Sequence, residues 1–271
     1  MSLSTDRHFT GSIPDIYDRF MVPLLFEAQA RDLAPRVGAL APQAVLETAA
    51  GTGVLTRALE ACLPATTRLV ATDLNPPMLA LAASHQPAGS RVVWQEADAL
   101  QLPFAPADFD LVVCQFGVMF FPDKMQGYRE AHRVLRPGGH FLMSVWDGLA
   151  GNDFARVVEA ALAKVFPQDP PGFMGRTPHG YHDMALIRAE LAAAGFAAVA
   201  AEARDGVSRA GSAREVAMAF CHGTPLRNEI FARGPARLEE ATACAAASLE
   251  RCFGPGPIEG RVRAWLITAG R

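Results

Sequence analysis

Ala44-Val45-Leu46-Glu47-Thr48-Ala49-Ala50-Gly51-Thr52-Gly53 is the stretch on which the reading of this chain turns. A short apolar run ends on a carboxylate, passes into a turn of small residues, and gives way from Val54 to helical spacing. Small residues let another molecule approach a backbone closely. With no Cβ at Gly51 and Gly53, the turn can present N–H groups at a helix N-terminus, where polar or anionic ligand groups are favoured. A tight strand-to-helix connection in any α/β protein would look the same, so the turn acquires meaning only from its surroundings.

Outward from this turn, short apolar runs alternate with helical patterns. Strands are predicted at Ala44–Glu47, Arg68–Thr72, Arg91–Trp94, Asp110–Cys114 and His140–Trp146, and helices at Val54–Cys62, Pro76–Ala83 and Lys124–Val134. The last helix is stopped by Arg136-Pro137-Gly138-Gly139, which cannot continue it. Such alternation predicts β-α-β units and a mainly parallel sheet. After Trp146 the spacing predicts helices at Asp153–Phe166, Met184–Ala193, Ala213–His222 and Pro235–Phe253, strands at Phe196–Val207 and Arg261–Thr268, and an irregular loop over Pro167–Gly180.

Two more carboxylates follow the first at matching places. Asp73 ends the second strand, where a carboxylate can accept both hydroxyls of a ribose. Asp98 lies just past the third strand in Gln95-Glu96-Ala97-Asp98-Ala99-Leu100, placed to accept from the exocyclic amine of a purine. Each acid alone is equally a cap or turn residue. In series they point to an adenosine-type ligand.

The runs Glu47–Gly53, Thr72–Leu79 (T-D-L-N-P-P-M-L), Ala97–Phe104 (A-D-A-L-Q-L-P-F), Phe109–Gly117 (F-D-L-V-V-C-Q-F-G) and Arg133–Gly139 (R-V-L-R-P-G-G) agree in order and spacing with one family. Over roughly residues 40–147 the chain resembles the class I methyltransferases of the ubiquinone/menaquinone-biosynthesis type, the methyltransferase type 11-like group. The implied fold is α/β: a Rossmann-like, mainly parallel seven-stranded sheet with helices on both faces and a helical cap. The expected organisation is a single domain over 1–271, with a core of 40–147, 184–209 and 260–271 and a cap of 8–30, 151–183 and 212–257. The implied cofactor is S-adenosylmethionine. By the same resemblance Glu47 organises the turn or meets the methionine end, and Ala49, Gly51 and Gly53 let the cofactor lie against the backbone. Asp73 and Leu74 flank the ribose, Asp98 and Ala99 the adenine, and Gln115 and Phe116 sit near the sulfonium and the acceptor. One position departs from the pattern, which usually has Gly where this chain has Ala49.

Composition narrows the acceptor. Half of the residues are hydrophobic and a fifth are charged, which suits a chain with a sizeable core. The formal charge is −3 and the arginines are scattered, so no field draws in a polyanion and nucleic acid is not an expected partner. Five cysteines without a C-x-x-C pair suggest neither a disulfide framework nor a metal site. No run reaches the roughly 20 apolar residues of a membrane span, and a cytoplasmic location is expected. The implied reaction is in-line methyl transfer to a small molecule, apolar or aromatic if Phe116–Phe121, Phe173, Met174 and Met218 line its site. A general base is needed only if the acceptor must lose a proton. Tyr17, His179, Tyr181 and His182 are the candidates, although a packed or solvated role is commoner for each residue type. Two rival readings are an NAD(P)-dependent oxidoreductase, against which the missing G-x-G-x-x-G spacing counts, and a non-catalytic sensor of the cofactor.

Overall fold

The computed structural model describes residues 4–271. Seven strands, β1 (Ala44–Glu47), β2 (Arg68–Asp73), β3 (Val93–Glu96), β4 (Phe109–Gln115), β5 (Leu135–Trp146), β6 (Ala198–Ala210) and β7 (Ile258–Gly270), form one sheet in the order β3-β2-β1-β4-β5-β7-β6. The pairs β1–β2, β1–β4, β2–β3 and β4–β5 are parallel. β7 runs against β5, since Gly139 accepts from Arg271 N while Asp147 donates to Arg263 O. All four β1 residues are buried, as expected of a central parallel strand covered on both faces.

The chain divides into two compact units. One comprises Glu27–Val145, His182–Ala203 and Trp265–Arg271, and the other the residues up to Phe26, Trp146–Tyr181 and Arg204–Ala264. In the first, alternation along the strands sorts side chains between the two faces. Val45, Leu69, Leu111, Val113 and Leu142 turn to a core shared with Leu33 and Val37 of the helix Glu27–Ala39 and Leu55 and Leu59 of the helix Val54–Cys62. Phe141, next to Leu142, turns to the opposite face, where it meets Tyr128 of the helix Lys124–Val134 at 6.0 Å and Phe196 at 5.8 Å. In the second unit the helices Asp153–Val165, Ala213–His222 and Leu238–Phe253 pack on one another.

Several expected elements differ. β3 starts at Val93 rather than Arg91, because the Arg91 N–H is taken by Glu60 and its guanidinium binds the carbonyls of Glu60, Leu63 and Thr67. β5 begins at Leu135, so Arg136-Pro137-Gly138-Gly139 is a distortion within a strand. Phe109 pairs Leu135, Leu111 pairs His140, and the residues between bulge outward. β6 begins at Ala198 because Phe196 N closes the preceding helix onto Leu191 O. Five helices escaped the pattern: Ile13–Ile16, the π-helix Tyr17–Phe26 with Pro23 inside it, Glu27–Ala39, which carries Pro35 in its interior, the short turn Phe173–Arg176 inside the expected loop, and Leu226–Arg233. No helix among the described residues is long and apolar enough to cross a membrane.

Candidate functional site

Parallel pairing puts the C-terminal ends of β1 to β4 at one edge of the sheet, the usual place for ligands in open α/β folds. The turn after β1 is tied to both neighbouring strands. Thr48 N donates to Val113 O at 2.9 Å, and Ala50 N to Thr72 O at 2.9 Å. Gly51 N donates to Asp73 Oδ2 at 2.9 Å. The other Asp73 oxygen accepts from Asn75 N at 2.8 Å and Asn75 Nδ2 at 3.1 Å. Ala97 N donates to Asp73 O, which joins the β3 end to the same centre, while Asp98 Oδ1 caps the following turn by accepting from Leu100 N. Glu47, Ala49, Gly51, Gly53, Asp73, Asp98 and Ala99 thus share one edge. Leu74 lies beside Asp73 and is exposed.

Backbone conformation explains the small residues. Gly51 has φ +58° and Gly53 φ +78°, a region unfavourable to a side chain. At Gly53 a Cβ would also meet Trp94 Cη2 at 2.7 Å and Ala82 Cβ at 3.1 Å. Ala49 adopts φ +53° despite its methyl, which accounts for the usual preference for Gly there. The methyl has a place because position 117 is Gly: a Cβ on Gly117 would stand 2.5 Å from Ala49 Cβ. Gly117 thus makes room for the departure at Ala49.

Burial sets the electrostatics. Glu47 is 2% exposed, and burial pushes its carboxyl up to about 8. A hydrogen bond from Thr56 Oγ1 to Oε2 at 2.6 Å opposes that rise, the negative charge of Asp73 adds to it, and Arg57 opposes it. Burial raises Asp73 too, against the hydrogen bonds from Asn75 and Gly51. Cys114, on β4 nearby, is pushed up to about 12 by burial and is no nucleophile. At the end of β4, Phe116 is buried with φ +56°, held by its N–H to Ser144 O at 3.0 Å. Gln115 Nε2 and Thr52 Oγ1 are buried without a hydrogen-bond partner in the protein. The N–H groups of Thr48, Ala50, Gly51 and Gly53 all donate within the protein, so the turn does not present them as expected, and it is the orphaned buried side-chain atoms beside it that fit a polar organic cofactor. They do not suggest a metal: no group of three His, Cys, Asp or Glu with that geometry exists among the described residues.

Three of the four candidate bases, Tyr17, His179 and Tyr181, lie in the second unit, where ring contacts run from Tyr17 through Phe26 and Trp146 to His179 at 5.2, 5.8 and 6.4 Å. Tyr17 stacks on Phe26 at 5.2 Å and meets Phe9 edge-on at 5.9 Å, a packing role inside the second unit. His179 and Tyr181 are buried in that unit, with His179 Nδ1 2.8 Å from Asp147 O. His182 is exposed and belongs to the first unit. Phe173 and Met174 are buried in the second unit, and Met218 is partly exposed there. Sequence reasoning missed Thr56, Trp94 and Gly117. Gly117 left a trace as the last residue of the Phe109–Gly117 run and Trp94 as the end of a predicted strand, whereas the role of Thr56 shows only in its burial beside Glu47.

Residues 46–143 match a family model described as a methyltransferase domain. The chain is similar to the demethylmenaquinone methyltransferase of Deinococcus radiodurans, 36% identical over 141 residues that cover 51% of this chain and 57% of that protein. It is also similar to the demethylmenaquinone methyltransferase of Thermus thermophilus, 36% identical over 149 residues that cover 55% of this chain and 66% of that protein. The alignments therefore span less than two thirds of either relative. Among solved structures, the phosphoethanolamine N-methyltransferase 2 of Haemonchus contortus in complex with S-adenosyl-L-methionine shares the fold, with TM-score 0.62 and 17% identity over 100% of this chain and 60% of that one. Residues 46–143 therefore form a methyltransferase domain, set in a chain with the class I methyltransferase fold.

Proposed function

We propose that the whole protein transfers a methyl group from S-adenosylmethionine to a small, apolar or aromatic acceptor. The observation that carries this reading is the closure of the turn after β1 onto Asp73. It leaves a buried carboxyl and the unpaired Gln115 Nε2 and Thr52 Oγ1 along one edge of the sheet. When bound, the cofactor supplies a methyl group made electrophilic by its sulfonium charge. The residues of the chain bind and orient it: Glu47 faces the amino-acid end, Asp73 with Leu74 the ribose, Asp98 with Ala99 the adenine, and Gln115 with Phe116 the reacting end. Alignment of this kind can supply about 7–11 kcal/mol of a barrier.

An apolar acceptor is favoured by the wall that follows Gln115. Phe116, Val118 and Met119 are buried, Phe120 and Phe121 half-buried, and no charged residue interrupts Phe116–Phe121. The unpaired state of all five cysteines suits a reducing compartment such as the cytoplasm. Calorimetry with S-adenosylhomocysteine and NADH, followed by turnover of labelled S-adenosylmethionine over a panel of phenols, quinols and small acids, tests the reading. Binding of S-adenosylhomocysteine with methylation of phenols or quinols is the expected result. Preferential NADH binding overturns the cofactor assignment, and binding without turnover across the panel favours a sensor.

A further inference from the structure

The function above gives Glu47 a ligand to face but does not use the hydroxyl sealed in beside it. Thr56 is fully buried in the first turn of the helix Val54–Cys62, and its hydroxyl has one acceptor, Glu47 Oε2, at 2.6 Å. One carboxyl oxygen is thus pinned against the helix, and Oε1 is the oxygen left for a ligand. Thr72 Oγ1 fixes the Glu47 carbonyl from β2 at 3.0 Å, so the end of β1 is held on both sides.

We propose that Thr56 is a positioning residue for Glu47, and that the Glu47 carboxyl releases a proton to solvent each time the cationic methyl donor or its product binds. The proposal rests on the cofactor reading above and adds to it a linked protonation. The physical reason is desolvation. A carboxylate in this position lacks water and has one hydroxyl donor, so the neutral acid is preferred until a positive charge arrives. The groups facing it are few. Asp73 on β2 is another buried acid and disfavours a second negative charge, Cys114 on β4 stays neutral, and Arg57 on the following helix is the positive group that favours ionisation. The α-ammonium of S-adenosylmethionine or S-adenosylhomocysteine would supply the missing charge. The balance is simple: the bound acid becomes a carboxylate, the ligand keeps its ammonium, and one proton goes to the buffer.

With its carboxyl sealed from water and raised to about 8, Glu47 is largely the neutral acid in the free protein at pH 7. Titration calorimetry with S-adenosylhomocysteine at pH 7, in phosphate and in Tris, should show a net release of protons, the observed enthalpy changing with the ionisation enthalpy of the buffer. The release should vanish in Glu47→Gln. Thr56→Val should move the pH at which affinity levels off upward and weaken binding at pH 7 by roughly tenfold, and Thr56→Ser should restore both. That displacement of the pH profile assigns the proton even if Glu47→Gln binds too weakly to titrate, and a merely structural hydroxyl would leave the profile where it is. Binding without proton release, or release unchanged in Glu47→Gln, overturns the proposal and leaves the cofactor reading standing. Absence of any S-adenosylhomocysteine binding removes both.

Discussion

Gly117→Ala tests whether the unusual Ala49 is accommodated by the glycine opposite it. The new methyl would lie 2.5 Å from Ala49 Cβ and 2.7 Å from Cys114 Sγ. Gly117 has φ −99° and ψ −37°, which any residue adopts, so the cost is crowding and not backbone strain. Ala49 Cβ cannot swing away and Cys114 is fully buried, so the backbone itself must yield. Overpacking of a close-packed site costs about 1–3 kcal/mol, and two contacts this short place the loss near 3 kcal/mol. Ala49→Gly alone should be nearly neutral: leaving φ +53° gains about 1 kcal/mol, and the lost methyl burial offsets about 0.8 kcal/mol at most. In the double variant the shorter contact is gone and only the Cys114 contact remains, so about 1–2 kcal/mol of the loss should return as coupling. Urea and thermal unfolding of the four proteins measure the cycle, with about 2 °C in Tm for each kcal/mol in a chain of this size. Additivity within about 0.5 kcal/mol, or a Gly117→Ala protein as stable as its parent, would refute the argument.

Three further outcomes follow from the same geometry. Gly53→Ala adds a methyl 2.7 Å from Trp94 at φ +78°, so a loss of about 2–4 kcal/mol in stability and at least roughly tenfold in S-adenosylhomocysteine affinity is expected, read by unfolding and calorimetry. Because Glu47 titrates at about 8 when folded against an ordinary 4.5, the folded state holds its proton longer than the unfolded chain. Stability of the ligand-free protein should therefore fall as pH rises from 4.5 to about 8, with a shallower slope in Glu47→Gln; a Tm that rises over that window contradicts the assignment. Arg176 binds Asp6 through Nε at 3.1 Å and Nη2 at 2.8 Å and also binds Glu229, both acids being buried. Arg176→Ala removes the cation shared by two buried carboxylates, leaving Asp6 the Thr177 hydroxyl and Glu229 the Gly172 N–H, and should cost about 3 kcal/mol, with residues 5–7 exchanging amide hydrogens faster; unchanged exchange there would show that this network does not hold them.

The donor half of the protein was legible from local rules. Strand and helix periods, the Gly51 and Gly53 turn, and acids at successive strand ends are short-range features, and parallel pairing converts their order along the chain into a shared edge. The helix Glu27–Ala39 and the bulge within β5 were not legible, because Pro35 and the Pro-Gly-Gly run read as breaks until the packing that tolerates them is known.

The roles of individual groups divide along the same line. That Glu47 would stand at a strand end follows from neighbours in sequence, since apolar residues lead into it and small ones follow. That it is sealed from water, pinned by Thr56 and raised to about 8 depends on residues brought in by the following helix and by β2. Likewise Ala49 looked like a defect in its motif, and only the approach of β4, bringing Gly117 opposite, shows why its methyl fits. Periodicity specifies which face a residue presents, whereas dielectric and free volume are properties of everything packed around it. These exist only once distant segments have met.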